Sequence, residues 1–483
     1  MLFSSLLFIY GFLPLVLMLH YFLRKQHRNK LLLAASLLFF AWGGVSYSLI
    51  LIFSLLVNYF IGIQIDRNRS NLMAKRYLIL GISLNLANLI LFKYAGFLAW
   101  NLNWILLQMG LAPIEIPKIL LPLGISFYTF QAMSYLIDLY RNETQVQKNF
   151  FRLSLYISFF PQLIAGPIVR YQHLARQLTH RVNHLTGFSY GIQRFSLGLA
   201  KKVLIANPMG FVADQAFSIP AAELNSGTAW IGILAYTFQI YFDFSGYSDM
   251  AIGLGRMFGF KLPENFNFPY MARSVREFWQ RWHITLSEWF KNYLYFPLGG
   301  SRKSPVRVIL NLLVVFFATS IWHGASWNFV IWGMTHGIFM MLERLGWGRI
   351  LDRLWRPLQH FYALFIIVVT RVFFRAEGFE SAWTYFLELF RFNFSNVHIT
   401  VLPHVTTNYF FVLTLVAILS ATPFWLNLGK RLQSLSLLNR WQGNPYAIRL
   451  QSISFVLLAL SGLAFSTVLL VGDTYNPFIY FRF

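Results

Sequence analysis

Apolar stretches near the twenty or so residues needed to cross a bilayer recur along the whole chain, beginning with Leu2 to Leu23. They predict an all-α polytopic integral membrane protein. The share of charged residues, 12% against 57% hydrophobic, lies far below the roughly 25% of an ordinary soluble domain. The first segment does not read as a cleaved signal peptide, because its basic residues (Arg24, Lys25, Arg28, Lys30) follow the apolar run. The formal net charge of +23 is carried by short loops between apolar runs. The positive-inside rule accounts for that distribution, so no nucleic-acid partner is expected. Cysteine is absent, which removes a thiolate nucleophile and thiolate metal sites together.

The basic clusters set a topology. Arg24 to Lys30 read as cytoplasmic, as do Arg67, Arg69, Lys75 and Arg76, so residues 31–65 go out and return around Gly43 and Gly44. Residues 77–108 run outward through Lys93, which the pattern does not place, and residues 119–140 come back. Leu153 to Ala165 is too short to span and ends at Gly166-Pro167, as a re-entrant segment followed by a basic interfacial helix would. Residues 187–206 and 228–255 form the next pair, with GxxxG spacing at Gly187/Gly191 and Gly255/Gly259 that favours close helix packing. From 256 to 307 the chain is rich in Arg and Lys. Phe278, Trp282, Leu286 and Trp289 recur there at three- and four-residue steps, predicting one amphipathic interfacial helix with Arg276, Glu277, Arg281 and Glu288 on its polar side. Residues 358–375, 407–428 and 450–471 complete roughly ten to twelve membrane segments. Both termini fall on the outer side. The expectation is one membrane domain over 1–483, with N-terminal helices at 1–152, a core at 153–345, and C-terminal helices and tail at 346–483.

A titratable group at membrane depth marks a functional site by default. The run from Val308 to Trp322 is about 15 residues, or roughly 22 Å of helix, against a hydrocarbon core of about 30 Å. His323 therefore falls past the midplane, beside a turn of small residues and between Trp322 and Trp327, which suggests a lined cavity. His283 adjoins the interfacial apolar stripe and His336 lies partway down the second arm, where a structural role is the simpler reading. The other eight histidines, among them His20, fall in loops or at interfaces and read as solvent-exposed. His180 and His184 have metal-pair spacing but no carboxylate nearby, so no metal is expected. Asp243 and Asp249 lie in or at the end of an apolar span, where each must pair with Arg or His or stay neutral; a buried structural pair is the plainer alternative.

The motifs YFDFSGYSDMAIGLGRMFGFKLPENFNFPY from Tyr241, SVREFWQRWHITLSEWFKNYLYFPLGG from Ser274 and WHGASWNFVIWGMTHG from Trp322 resemble the membrane-bound O-acyltransferase family. They are most similar to its alginate O-acetyltransferase branch, with likeness also to teichoic acid D-alanyl transferases and peptidoglycan O-acetyltransferases. The resemblance runs from FKYAGF at Phe92 through PLGISFYTFQ at Pro122 to the terminal FIYFRF. It implies a ring of helices thinned at its centre, a cytoplasmic tunnel for a thioester donor (acetyl-CoA or an acyl-phosphopantetheine carrier), and an outer funnel for the acceptor. It matches His323 and His283 to the family's two histidines, and Tyr480 to a tyrosine proposed to take the acyl group first. It also implies a periplasmic SGNH-type acetyltransferase partner, a bacterial inner-membrane location among lipid, and no bound cofactor. A neutral imidazole with an ordinary value near 6.5 can remove the proton of an attacking hydroxyl. His323 is the expected base and His283 an orienting group. Arg281, with Arg273 and Arg276, would attract an anionic donor, and Asp243, Asp249, Trp322 and Trp327 would support the site. A transporter or flippase of an acyl carrier or sugar is the competing class.

Overall fold

The computed structural model describes residues 1–117, 119–394, 407–434, 445–472 and 475–479, with nothing said of side chains at 407–408, 432–434 and 445–455. Among these residues every regular element is helical, with no strand. Four helices are long and apolar enough to cross a membrane: Val45–Arg67, Leu72–Gln108, Pro305–His323 and Arg356–Arg375. A pair bent by 73°, Tyr409–Ser420 with Phe424–Arg431, is apolar enough only when its two halves are taken together, as a broken span or a re-entrant loop. The other expected segments are also helical, but shorter, broken or richer in polar residues. The first turn falls where expected: helix Lys25–Ala41 ends beside Gly44, whose φ of 148° suits glycine, and Val45–Arg67 begins there.

The elements that hold the site are α1 (Ile125–Tyr140), α2 (Leu185–Ala200), α3 (Ser226–Met257), α4 (Val275–Arg281), α5 (Ile284–Phe290), α6 (Pro305–His323), α7 (Trp327–Leu342) and α8 (Arg356–Arg375). Nearly every side chain of α1 and α3 is buried, so these two are central posts around which the others pack. The segment 150–163 is broken at Phe159 into two short buried helices, the irregular form expected of a re-entrant stretch.

Two local expectations are corrected. The interfacial helix is not continuous: it stops at Trp282, and His283 takes a left-handed conformation (φ 44°) before α5 begins. The four apolar positions are nonetheless all buried, because the break redirects the second half so that Trp289 stacks on Phe130 at 3.7 Å between ring centroids. Second, of the two GxxxG pairs only Gly191 takes part in the contact between α2 and α3. A Cβ on Gly187 would meet nothing within 4 Å, and Gly259 lies past the end of α3. The close crossing sets Gly191 and Gly198 against Gly253 and Gly246. A Cβ on Gly198 would stand 2.5 Å from the Gly246 carbonyl, and one on Gly253 2.6 Å from that of Gly191. Backbone cannot yield as a flexible side chain does, so Gly253→Ala is expected to destabilise by about 1–3 kcal/mol. Gly187→Ala is the control. Equal unfolding midpoints for the two variants in detergent would show that the crossing tolerates the methyl group.

α6 and α7 form the expected hairpin around Gly324–Ser326. Their approach depends on Gly333 and Gly337, a GxxxG pair packed on Ser320 and Phe316.

Candidate functional site

His323 is the last residue of α6 and is only 3% exposed. Its ring meets Trp322, Trp332 and Phe374 edge-on at centroid distances of 4.9, 5.1 and 5.3 Å. Among the described residues neither ring nitrogen has a hydrogen-bond partner. Buried polar atoms are rarely left so, and both nitrogens remain available to a group entering the site.

Two residues that hydropathy does not single out fix the end of α6. The helix Leu72–Leu89 passes into a π-helical turn, Ile90–Tyr94, which presents adjacent Lys93 and Tyr94 to the same target. Tyr94 Oη donates to the Ile321 carbonyl at 2.9 Å, and Lys93 Nζ donates to the Trp322 carbonyl. A cation at the carbonyl end of a helix offsets unsatisfied acceptors and the helix dipole. The residue the sequence left unplaced thus holds the His323 turn, and it lines a cavity of about 60 Å³ with Trp322 and His323.

His283 is fully buried and shares Trp322 with His323, at 5.9 Å between ring centroids. Its orientation follows from Asn265, within the PENFNFPY motif. Asn265 Oδ1 accepts from Thr285 N and Thr285 Oγ1 at 3.2 and 2.9 Å, which makes that atom the oxygen. His283 Nδ1, 3.2 Å away, must then donate to it, leaving Nε2 bare. At its start, α4 is capped by Ser274 Oγ, which accepts from Glu277 N. The Glu343 carboxylate accepts from Val275 N and Arg276 N at 2.7 and 3.0 Å.

His336 is drawn into the same neighbourhood. It is buried, with Nε2 3.1 Å from Thr370 Oγ1 and its ring 5.2 Å from Trp332. His336 and His323 line one small cavity of about 20 Å³. Two large spaces flank this centre. One, of about 490 Å³, is lined by Arg273, Arg276, Lys291 and Arg344, by Glu277, Glu343 and Asp352, and by Trp279 and Phe316, so basic groups outnumber acidic ones by a single charge. Trp279 stacks edge-on against Trp332, so a single layer of rings parts that space from the histidines. The other, about 410 Å³, is lined by Gln239, Ser326, Arg375 and Glu377, and shares Phe374 and Ile479 with the small cavity.

The remaining expected residues separate. Trp322 is buried beside His323, whereas Trp327 is 50% exposed and donates to Asn101 Oδ1 at 3.0 Å. Trp332, one turn further along α7, takes the wall position expected of Trp327. Arg281 does not line the space edged by Arg273 and Arg276; it clasps Glu277 at 2.8 Å and the Asn267 carbonyl at 3.0 Å. Asp249 is held by Arg194 and Lys201 and lines neither small cavity, the arrangement of the plainer alternative, a buried ion pair. Asp243 pairs with Lys202 at 2.8 Å, a lysine and not the expected Arg or His, and accepts from Ile479 N at 2.9 Å. His20 is fully buried against Phe258 and not solvent-exposed, because Asn183 supplies it a polar contact at 3.2 Å. Tyr480 lies outside the described residues. Among the described residues, no group of three or more His, Cys, Asp or Glu is disposed to hold a metal ion.

Comparison with known proteins decides the family. The profile of the membrane-bound O-acyltransferase family matches residues 141–374. The chain is 43% identical over 396 residues to the probable alginate O-acetylase AlgI of Azotobacter vinelandii, covering 81% of this chain and 78% of that protein. The chain belongs to the membrane-bound O-acyltransferase family. It is also 39% identical over 418 residues to the peptidoglycan O-acetyltransferase of Helicobacter pylori, covering 79% of this chain and 78% of that one. With the teichoic acid D-alanyltransferase of Bacillus subtilis it shares 28% identity over 263 residues, or 51% and 65% of the two chains. As a member of this family the protein is a multi-pass membrane acyltransferase, and its matched region contains His283, His323 and His336.

Proposed function

We propose that the protein moves an acetyl group from a cytoplasmic thioester toward an exported cell-envelope polysaccharide, with His323 as general base. Alginate is the acceptor class suggested by the name of the Azotobacter relative. The observation that carries the reading is a buried imidazole with two bare nitrogens, set between a space edged by charged side chains, four of them basic, and a second one bounded by the C-terminal peptide. Arg273, Arg276, Lys291 and Arg344 suit the phosphates of coenzyme A or a phosphopantetheine carrier. They stand at the cytoplasmic face of the inner membrane in the orientation that places both termini outside.

In the reaction the acceptor hydroxyl attacks the thioester carbonyl carbon while His323 takes its proton. Collapse of the tetrahedral intermediate breaks the C–S bond, and the imidazolium returns the proton to the departing thiolate. His283, locked by Asn265 with Nε2 bare, orients the reacting groups from the Trp322 side. Tyr480 follows Ile479, whose side chain lines the His323 cavity, and serves as the first acceptor. A periplasmic acetyltransferase partner then completes delivery to the polymer.

The test uses the purified full chain in nanodiscs, radiolabelled acetyl-CoA or acetylated carrier, and the partner with polymer. Label is expected on the polymer. Movement of donor or sugar across the bilayer without transfer of label would establish the transporter class instead. Tyr480→Phe is expected to abolish delivery to the polymer while leaving donor binding intact. Full polymer acetylation by that variant excludes the relay and leaves the acyltransferase reading standing.

A further inference from the structure

One buried charge is left without a task by the reading above. Arg371 of α8 is 4% exposed, with its guanidinium carbon 5.1 Å from the ring centroids of both Tyr270 and Trp282. Its Nη1 donates to the Thr237 carbonyl at 3.1 Å and to Tyr270 Oη at 2.5 Å. Among the described residues, Nε and Nη2 make no hydrogen bond and no carboxylate forms an ion pair with the group. The contrast with its neighbours is informative. Lys202 has Asp243, Arg375 has Asp214 and Arg194 has Asp249. Two ring faces and two neutral acceptors offset only part of the desolvation of a buried cation.

The same side chain lines the cavity of about 20 Å³ that His323 and His336 line. On this measure about 10–15 Å³ holds one water molecule, so the space suits a carbonyl oxygen with little else beside it. A desolvated guanidinium that lines such a space and has N–H donors still unengaged is suited to negative charge that develops there.

We propose that Arg371 is a catalytic residue, donating hydrogen bonds to the acyl oxygen as it becomes an oxyanion; the proposal rests on the acyl-transfer reading. As the hydroxyl oxygen bonds to the acyl carbon and His323 accepts its proton, the carbonyl π pair moves onto oxygen. Arg371 Nε or Nη2 holds that charge until the pair returns and the thiolate leaves. Tyr270 and Trp282 act as positioning residues that keep the guanidinium plane fixed.

The experiment compares wild type, Arg371→Gln and Arg371→Lys as full chains in nanodiscs. It measures single-turnover transfer from labelled acetyl-CoA, KM for the donor, and the thermal unfolding midpoint. Arg371→Gln is expected to lower kcat by about 10²–10³-fold at unchanged KM. Its unfolding midpoint should be no lower than wild type, since an uncompensated buried charge has been removed. Arg371→Lys keeps the charge and loses the planar fork, and should fall between the two in kcat. A wild-type kcat in either variant overturns the proposal, as does a fall in midpoint with kcat unchanged. Should Arg371→Gln fail to fold, Arg371→Lys decides alone by the same kcat criterion. Absence of transfer by wild type itself would instead defeat the acyl-transfer reading, whatever the Arg371 variants do.

Discussion

Replacing His323 by glutamine is expected to reduce acetyl transfer by about 10²–10⁴-fold, the range for loss of a positioned general base, with donor binding retained. The structure separates chemistry from folding at this position. Neither ring nitrogen is hydrogen-bonded to a described residue, so glutamine breaks no polar contact of the native state. What it removes is edge packing against Trp322, Trp332 and Phe374, much of which a side chain of similar length retains. The measurement is single-turnover transfer from labelled acetyl-CoA alongside thermal unfolding. A rate equal to wild type would remove His323 from the chemistry, and a collapsed fold would make it a packing residue. His283→Ala is the weaker companion, because the hydrogen bond that Asn265 accepts from His283 Nδ1 gives that histidine an orienting place at the site.

The second large effect is on stability. Lys202 and Asp243 are 3% and 2% exposed and 2.8 Å apart. Lys202→Met leaves a carboxylate buried without its cation, and breaking a buried pair this way destabilises by about 3–5 kcal/mol. The lysine also donates to the Pro477 carbonyl while Asp243 accepts from Ile479 N, so the pair clamps the C-terminal peptide as well. Tyr475 Oη donates to Asp214 at 2.7 Å and Asn476 reaches Ser4, which tie the same peptide to two further elements. Lys202→Met is therefore expected to lower the unfolding midpoint and to open the tail to carboxypeptidase. The double change Lys202→Met with Asp243→Leu should recover the midpoint, because no charge is then left unpaired. It should not recover the tail, whose backbone partners are gone. An unchanged midpoint in the single variant would mean that water reaches the pair.

The contrast between Asp243 and Asp249 shows why charge alone does not identify a site residue. Both lie on α3, six positions apart, and both look equally costly in an apolar run. Asp249 meets Arg194 and Lys201, and Arg194 reaches on to Glu264. Asp243 meets one buried lysine and a backbone N–H from the far end of the chain. The difference lies in partners that come from other segments of the chain. Trp327 and Trp332 make the same point: five residues apart on α7, one is half exposed and the other is buried among Trp279, His323 and Phe374, which come from other helices.

Much was legible from residue order because the bilayer leaves a chain little freedom. Recurrent apolar runs and the placement of basic loops were enough for an all-helical membrane protein. A histidine at depth beside small turn residues, together with the family resemblance, made His323 the candidate base, and the first hairpin and the 153–165 irregularity fall where the sequence puts them. Tertiary structure decided what depends on contacts between distant segments. The helical periodicity of 275–290 continues through His283, and only the Asn265 and Thr285 partners show that the backbone turns there. Lys93, which the hydropathy pattern does not place, holds the turn that presents His323, and Arg371 of α8 shares the His323 cavity. Hydropathy records how a residue prefers to be solvated, whereas the environment of a buried polar group is set by whichever neighbours the fold brings to it.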